Sequence, residues 1–384
     1  MLSIIAGSAS AGPWSIEPRL GASADYDTNP ALIELNPGSE EHIAALVALP
    51  LRYDADGLAL SLSPGARISN SSGYSSLASS YTHIEGSAQF TNELGSTTLQ
   101  GELARDSSLY HIGGLVNGLG VRRDTASTNA DWTRSLTERS SLQLDASWTR
   151  VNYGQNANLL TDYKYLSAGP AFAVALSERD TIKVLSSYGR YQSLNGITES
   201  TSENLELGFV RQLNELWTLS TAAGYTRATN TEKFFVGPFF LGSLSSSLNG
   251  AVYAATLAHQ TEQFNLSCGV SRSLQPTGFT FLSRQDTLNL TATYMRSERW
   301  DFSLSTVWNQ AHNPVPVAQG ASGTANTEVR YFYAQLTADW HWTEQWVISM
   351  HATRVSEQSH PPPFSAASSG VSIDIVRHFL RIDL

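Results

Sequence analysis

The residues that could do chemistry in this chain are charged groups set two apart within runs of alternating polar and apolar residues. In Leu142-Gln143-Leu144-Asp145-Ala146-Ser147-Trp148, Asp145 falls with the polar members and the apolar members fall between them. Read along the chain, that alternation collects Glu17, Arg19, Asp25, Arg52, Arg67, Glu85, Glu102, Asp131, Asp145, Lys183, Arg190, Glu206, Asp339, His341 and His351 on one face. Successive side chains of a strand point to opposite sides of its sheet, so this set predicts a wall with one wet and one greasy side. Charges lining a wet wall select and pass solutes. Both signs are present, which predicts a charge-balanced surface, and the net charge of −10 leans it weakly towards cations and neutral solutes.

Catalytic signatures are absent: there is no Gly-x-Ser-x-Gly, no His-Glu-x-x-His, no phosphate loop and no recognisable carboxylate pair. His83, His111, His312 and His360 stand near strand ends, where an enzyme acting at those ends would need them, but a lone histidine beside a loop is usually plain surface. The single cysteine, Cys268, can form neither an internal disulfide nor a cysteine metal site and reads as a small apolar strand residue. No metal or cofactor is expected. Nucleic acid is excluded as a partner, because phosphate binding needs clustered Lys and Arg and the chain shows no such cluster.

One apolar run stands apart. Phe234-Phe235-Val236-Gly237-Pro238-Phe239-Phe240-Leu241 interrupts what reads as a long polar connection from 228 to 249. Three arrangements are open to it: a constriction folded into the lumen and carried by Phe234, Phe235, Phe239 and Phe240, packing on neighbouring loops, or strands prolonged into the lipopolysaccharide layer. Aromatic faces at a constriction would suit sugar rings.

The elements that position these groups must be strands. The chain has 384 residues, 41% hydrophobic and 15% charged, yet no window approaches the ~18 to 20 apolar residues of a membrane helix. Alternating runs recur instead, among them Leu58 to Leu62, Leu142 to Trp148, Trp217 to Tyr225, Phe264 to Val270, Leu288 to Tyr294, Phe332 to Trp342 and Trp346 to Ala352. Short turns join many of them: Asp54 to Gly57, Asn92 to Gly95, Thr137 to Arg139, Ser177 to Asp180, Asn214-Glu215, Thr261 to Gln263, Ser297 to Arg299 and Thr343 to Gln345. Long polar connections, 27–41, 70–80, 107–124, 228–249, 311–327 and 357–369, alternate with them. Short turns on one side and long loops on the other predict an all-β, transmembrane antiparallel β-barrel with a periplasmic and an extracellular end.

Pairing interior strands across these turns gives about 18 strands; 16 is the alternative count, because 163–176 and 252–259 alternate less cleanly. Aromatic girdles are expected from Trp217, Phe264, Trp300, Phe302, Trp342 and Trp346 beside the turns, and from Trp148, Tyr225, Tyr294 and Trp308 towards the loops. A soluble sandwich or solenoid would bury these aromatics instead. Residues 12–384 read as one barrel domain. Residues 1–11 read as a signal-peptide remnant ending at Ala9-Ser10-Ala11, without the basic segment that normally precedes it.

The opening strand, Glu17-Pro18-Arg19-Leu20-Gly21-Ala22-Ser23-Ala24-Asp25-Tyr26-Asp27-Thr28-Asn29-Pro30, and the repeated Ser/Thr-Glu-Arg turns resemble the β-barrel porins of Gram-negative bacteria. The likeness covers nearly the whole chain, in a pattern that barrels of many functions share. It implies a pore in the bacterial outer membrane, surrounded by membrane lipid and lipopolysaccharide. Some members of that group are associated with exopolysaccharide systems, so it also implies an exit portal for a secreted glycan, working with separate periplasmic export proteins. No catalytic residues come with it. A diffusion porin for small solutes is the rival reading, with a rim enzyme and a surface adhesion scaffold as further alternatives. One departure is the last strand, 371–384, which lacks a terminal aromatic and sets Ile373 and Ile375 out of phase with Leu380 and Ile382. A bulge near Arg377 to Phe379 would reconcile the phases.

Overall fold

The computed structural model describes residues 14–30, 32, 34–35, 37–72, 80–107, 122–154, 160–236, 239–276, 282–312, 328–360 and 363–383. The expected signal-peptide remnant lies outside them. Among the described residues the chain is strand and turn throughout, and no helix is long and apolar enough to cross a membrane.

The strand segments run in chain order: β1 (Trp14–Ile16), β2 (Arg19–Asp27), β3 (Glu40–Ala48), β4 (Leu51–Ala55), β5 (Leu58–Ser72), β6 (Tyr81–Asn92) and β7 (Gly95–Ser107). There follow β8 (Arg122–Thr137), β9 (Ser140–Tyr153), β10 (Tyr163–Ala175), β11 (Asp180–Ser193), β12 (Thr198–Gln212), β13 (Trp217–Val236) and β14 (Phe239–Gln260). The last are β15 (Phe264–Pro276), β16 (Leu282–Ser297), β17 (Trp300–His312), β18 (Glu328–Thr343), β19 (Trp346–His360), β20 (Phe364–His378) and β21 (Ile382–Asp383). Three pairs of segments, β1 with β2, β3 with β4 and β20 with β21, are single staves broken once, so the wall has 18 staves.

All neighbours are antiparallel, and the first stave pairs with the last: Arg19 to Asp27 lie opposite His378 to Gly370, and Ser15 opposite Asp383. Closure leaves no sheet edge along the paired wall. The three broken staves are adjacent at this seam. Pro18 and Pro50 cannot donate to a ladder. The backbone bridges the gap instead: Glu17 N–H donates to the Pro50 carbonyl (3.0 Å), Leu49 to Pro64 (2.9 Å) and Phe379 to Pro18 (2.9 Å). The break at 379–381 moves the last stave by one residue in phase, because Ile375 faces Ala22 and Ile382 faces Ile16 on the same side. That is the expected irregularity, displaced a little towards the C-terminus.

Residues directly opposite each other share a face, so the register sorts the side chains. On one face lie Leu166 opposite Trp148, Leu205 opposite Tyr225, and Val371 opposite Ala352. Leu205 is 61% and Tyr225 58% exposed in the isolated chain, a cost in water that lipid removes. Aromatics crowd the turn end of this face. Trp300 stacks on Phe302 (5.9 Å) and on Trp340 (6.0 Å), Trp217 meets His259 (4.5 Å), and the Arg377 guanidinium covers Trp346 (5.7 Å). Trp148, Tyr225 and Trp308 lie towards the other end. Tyr294 is a correction: its neighbours are Phe264 and Phe302, which places it in the turn-side girdle. The barrel is therefore an outer-membrane type, with the aromatics of its outer face girdled and not buried.

The tight turns share one device. Asn92 Oδ1 accepts from the Leu94 and Gly95 N–H groups (2.9 and 3.0 Å), and Asn214 Oδ1 from Leu216 and Trp217 (both 2.9 Å). Thr137, Ser177, Thr261 and Thr343 do the same with their hydroxyls. Such side chains satisfy backbone donors that the turn would otherwise leave to water. At 54–57 a glycine serves instead, Gly57 at φ 71°, where a Cβ would meet the Thr91 carbonyl.

Two expected loops are mostly strand. Pairing of β13 with β14 continues to Val236 opposite Phe239, so 228–249 is a hairpin, and 357–369 is spanned by β19 and β20 except near 361–363. These Ser, Thr and Asn runs alternate too weakly to signal a strand, but water on both faces lets polar strands pair.

Candidate lumen site

The inner face is built from the polar members of each stave. Two register rows bring carboxylates directly together: Ser63, Glu85, Glu102 and Ser127 lie side by side on β5 to β8, and Thr98, Asp131, Asp145 and Gly169 on β7 to β10. Glu206 on β12 lies opposite Leu185 and Gly224, further round the same wall. Like charges directly opposite weaken strand pairing, so two such pairs on neighbouring strands oppose stability. Gln143 donates to Asp145 at 2.7 Å, and the polar groups around the carboxylates bond to one another: the Ser61 and Ser87 hydroxyls meet at 2.7 Å, and Asn204 donates to Ser187 at 3.0 Å.

Among the described residues, none of Glu85, Glu102, Asp131, Asp145 and Glu206 has an ion-pair partner. Inward cations are few on this arc. Arg123 is held by Asp106 at 2.7 Å, and Lys183 projects inward from β11 opposite Ala173 and Gly208.

On the rest of the wall, from β17 round to β5, most charges are paired, with Asp339 the exception opposite Asp301. Arg67 on β5 binds Asp25 on β2 across the intervening β3, His351 Nε2 lies 3.2 Å from Asp374, and the Thr337 hydroxyl meets His351 Nδ1 at 2.9 Å. His341 lies 3.0 Å from Asp301, and Asp339 sits between Asp301 and Ser349 in the register. Arg19 faces His378 near the turn end, and Arg52 lies opposite Ser61 on the inner face.

Arg190 is a correction. It lies opposite Leu166 and Thr201 on the outer face and binds Glu199 at 2.6 Å. The run Tyr188-Gly189-Arg190-Tyr191 carries tyrosines of both phases, so its alternation does not tell inside from outside; Tyr188 is 45% exposed and Tyr191 fully buried. The phenylalanine run is also placed differently from a loop. Phe234 pairs with Gly242, Phe235 with Phe240 and Val236 with Phe239, at the tip of the longest hairpin. Phe240 is 58% exposed there.

The histidines near strand ends do not converge on one site. His83 packs against Tyr81 (5.5 Å) on the inner wall, His312 meets Asp286 (3.2 Å) on the outer one, His360 is exposed, and His111 lies outside the described residues. No group of His, Cys, Asp and Glu among the described residues is arranged to hold a metal. Cys268 lies between Leu257 and Leu290 on the lipid face.

Several inner-wall groups go beyond those the alternation singled out. Asp374, between Ile373 and Ile375, carried the same period-two signal. Arg123 sits in the stretch 107–124 that reads as loop, and Asp106 at its border. The inward tyrosines Tyr153, Tyr163, Tyr165, Tyr331 and Tyr333 lie where apolar residues would be assigned to lipid.

The chain matches no family model and no curated protein. Among solved structures it is similar to OpdO of Pseudomonas aeruginosa, at 12% identity and a TM-score of 0.46 over 98% of both chains. It is similar to OccAB3 of Acinetobacter baumannii at 11% identity and 0.45, over 95% of this chain and 99% of that one. A copper transporter, OprC, is similar at 9% identity and 0.44; the match takes in 90% of this chain and spans 64% of the transporter's length. The barrel reading rests on the strand pairing and not on these likenesses.

Proposed function

We propose that this outer-membrane barrel is a channel for small hydrophilic solutes that prefers cations. The observation that carries the reading is the unpaired carboxylate wall, Glu85 with Glu102 and Asp131 with Asp145, continued by Glu206. A barrel of 18 staves encloses an aqueous lumen unless plugged. Carboxylate rings and arcs in such a lumen raise the local concentration of cations and repel anions.

The test is a reversal potential in a planar bilayer under a KCl gradient. Cation preference is expected for the full chain, and the variant E85Q/E102Q/D131N/D145N should lose most of it at unchanged conductance order. An anion-preferring wild type sinks the reading.

A second reading, export of a glycan, is favoured by the inward tyrosines, whose rings offer stacking faces to sugars; Tyr163 and Tyr191 lie 5.2 Å apart. The carboxylate wall restricts that cargo to a neutral or amino-bearing polymer, since a uronic acid chain would be repelled. Reversible block of conductance by neutral or amino-sugar oligomers, and none by oligouronates, distinguishes it from simple diffusion.

A further inference from the structure

A depression of about 600 Å³ lies on the outer face of β3 to β9. Its lower part is apolar, lined by Val47, Leu49, Ile84, Leu103 and Ala126, and its upper end opens at Arg105, Asp124 and Asn152. The same end carries an excess of cations. Arg105 and Arg122 share the single carboxylate of Asp124 (2.7 and 3.3 Å), and their side chains remain 57% and 59% exposed. On the next strands Arg150 and Lys164 lie directly opposite each other, both exposed, and Arg150 donates to the Asn152 amide oxygen at 3.4 Å.

Four cations stand against two carboxylates, Asp124 and Asp162, the second of which already accepts the Tyr153 N–H at 2.7 Å, so two positive charges remain on this patch, and a like-charge pair directly across strands is destabilising. The height of the patch is fixed by its neighbours. Arg105, Arg150 and Lys164 each stand two residues beyond an outward apolar side chain of the same strand: Leu103 (58% exposed), Trp148 (39%) and Leu166 (47%). Two residues of strand are about 6.6 Å, so the cations sit where the hydrocarbon ends and headgroups begin. An apolar groove running up to a phosphate-sized cluster of guanidinium and ammonium donors has the shape and charge of an acylated, phosphorylated sugar lipid.

We infer that the outer face of β5 to β10 binds a phosphorylated glycolipid of the outer leaflet, with an acyl chain in the groove and its phosphates on Arg105, Arg122, Arg150 and Lys164. The site is separate from the lumen, so its failure leaves the channel reading untouched. The test uses the full chain refolded in detergent, with native mass spectrometry of bound bisphosphorylated lipid A. The expected result is binding that weakens at least tenfold for dephosphorylated lipid A and for the R150Q/K164Q variant. The control R330Q/R354Q, on the outer face across the barrel, should bind as the parent does. A bulky A126W substitution, which fills the groove and leaves the cations, should also weaken lipid binding.

Heat-modifiable gel mobility shows that each variant is folded. Equal binding of dephosphorylated lipid overturns the phosphate site in favour of general apolar contact. Full competition by inorganic phosphate at millimolar concentration overturns the lipid in favour of a simple anion site. Parent-like binding by R150Q/K164Q overturns the assignment to these residues.

Discussion

Leu205, Glu206 and Leu207 show how much one position decides. The two leucines, 61% and 60% exposed in the isolated chain, face lipid, and the carboxylate between them faces the lumen. Leu207→Arg should cost about 2 to 4 kcal/mol near the bilayer midplane, measured as a lowered urea midpoint for folding into lipid vesicles. Glu206→Gln should leave that midpoint within error and lower the cation preference, read from the reversal potential. If both substitutions affect stability alike, the face assignment fails. The turn residues act by another route. Asn214 accepts two backbone N–H groups at 2.9 Å, so Asn214→Ala should cost about 1 kcal/mol by the same urea measurement, and Asn214→Asp should restore most of it.

At the level of elements, hairpins with an Asn, Ser or Thr opening a short polar turn were legible, because the side chain that caps the turn is the residue the sequence displays. Strand ends were less so. In β13 and β14 the segment from Thr226 to Asn249 carries Ser, Thr and Asn on both faces, and period-two hydrophobicity vanishes once both faces are wet. Of the three arrangements open to the phenylalanine run, the backbone pairing gives prolonged strands, with the run at the tip of a paired hairpin. Deleting residues 233–242 and closing the hairpin with Asn-Gly should therefore leave single-channel conductance within about a tenth of the parent value. A several-fold rise in conductance would show that the tip narrows the pore after all.

Over the whole molecule, a net charge of −10 conceals a sorting that only closure of the barrel makes visible. Among the described residues, the cations facing inward are Arg19, Arg52, Arg67, Arg123 and Lys183, while many others stand on the outer face above the lipid or at the turns. Alternation showed most of the inward carboxylates one strand at a time. It could not show that Glu85 meets Glu102 and Asp131 meets Asp145, since those contacts depend on register between strands. Nor could it show that Asp25 and Arg67, 42 residues apart, neutralise each other across strands, and so mixed signs read as balance. The register instead predicts a lumen polarised into a largely paired arc and an unpaired acidic one. Selectivity that arises from fixed charges on one wall acts through the ion atmosphere, whose screening length shrinks from about 10 Å at 0.1 M salt to about 3 Å at 1 M. Cation preference should accordingly be strong in dilute KCl and fall severalfold towards unity at 1 M, measured by reversal potential at a fixed concentration ratio. A preference that persists undiminished at 1 M would place selectivity in a narrow constriction where ions touch the wall, and would remove the carboxylate arc as its source.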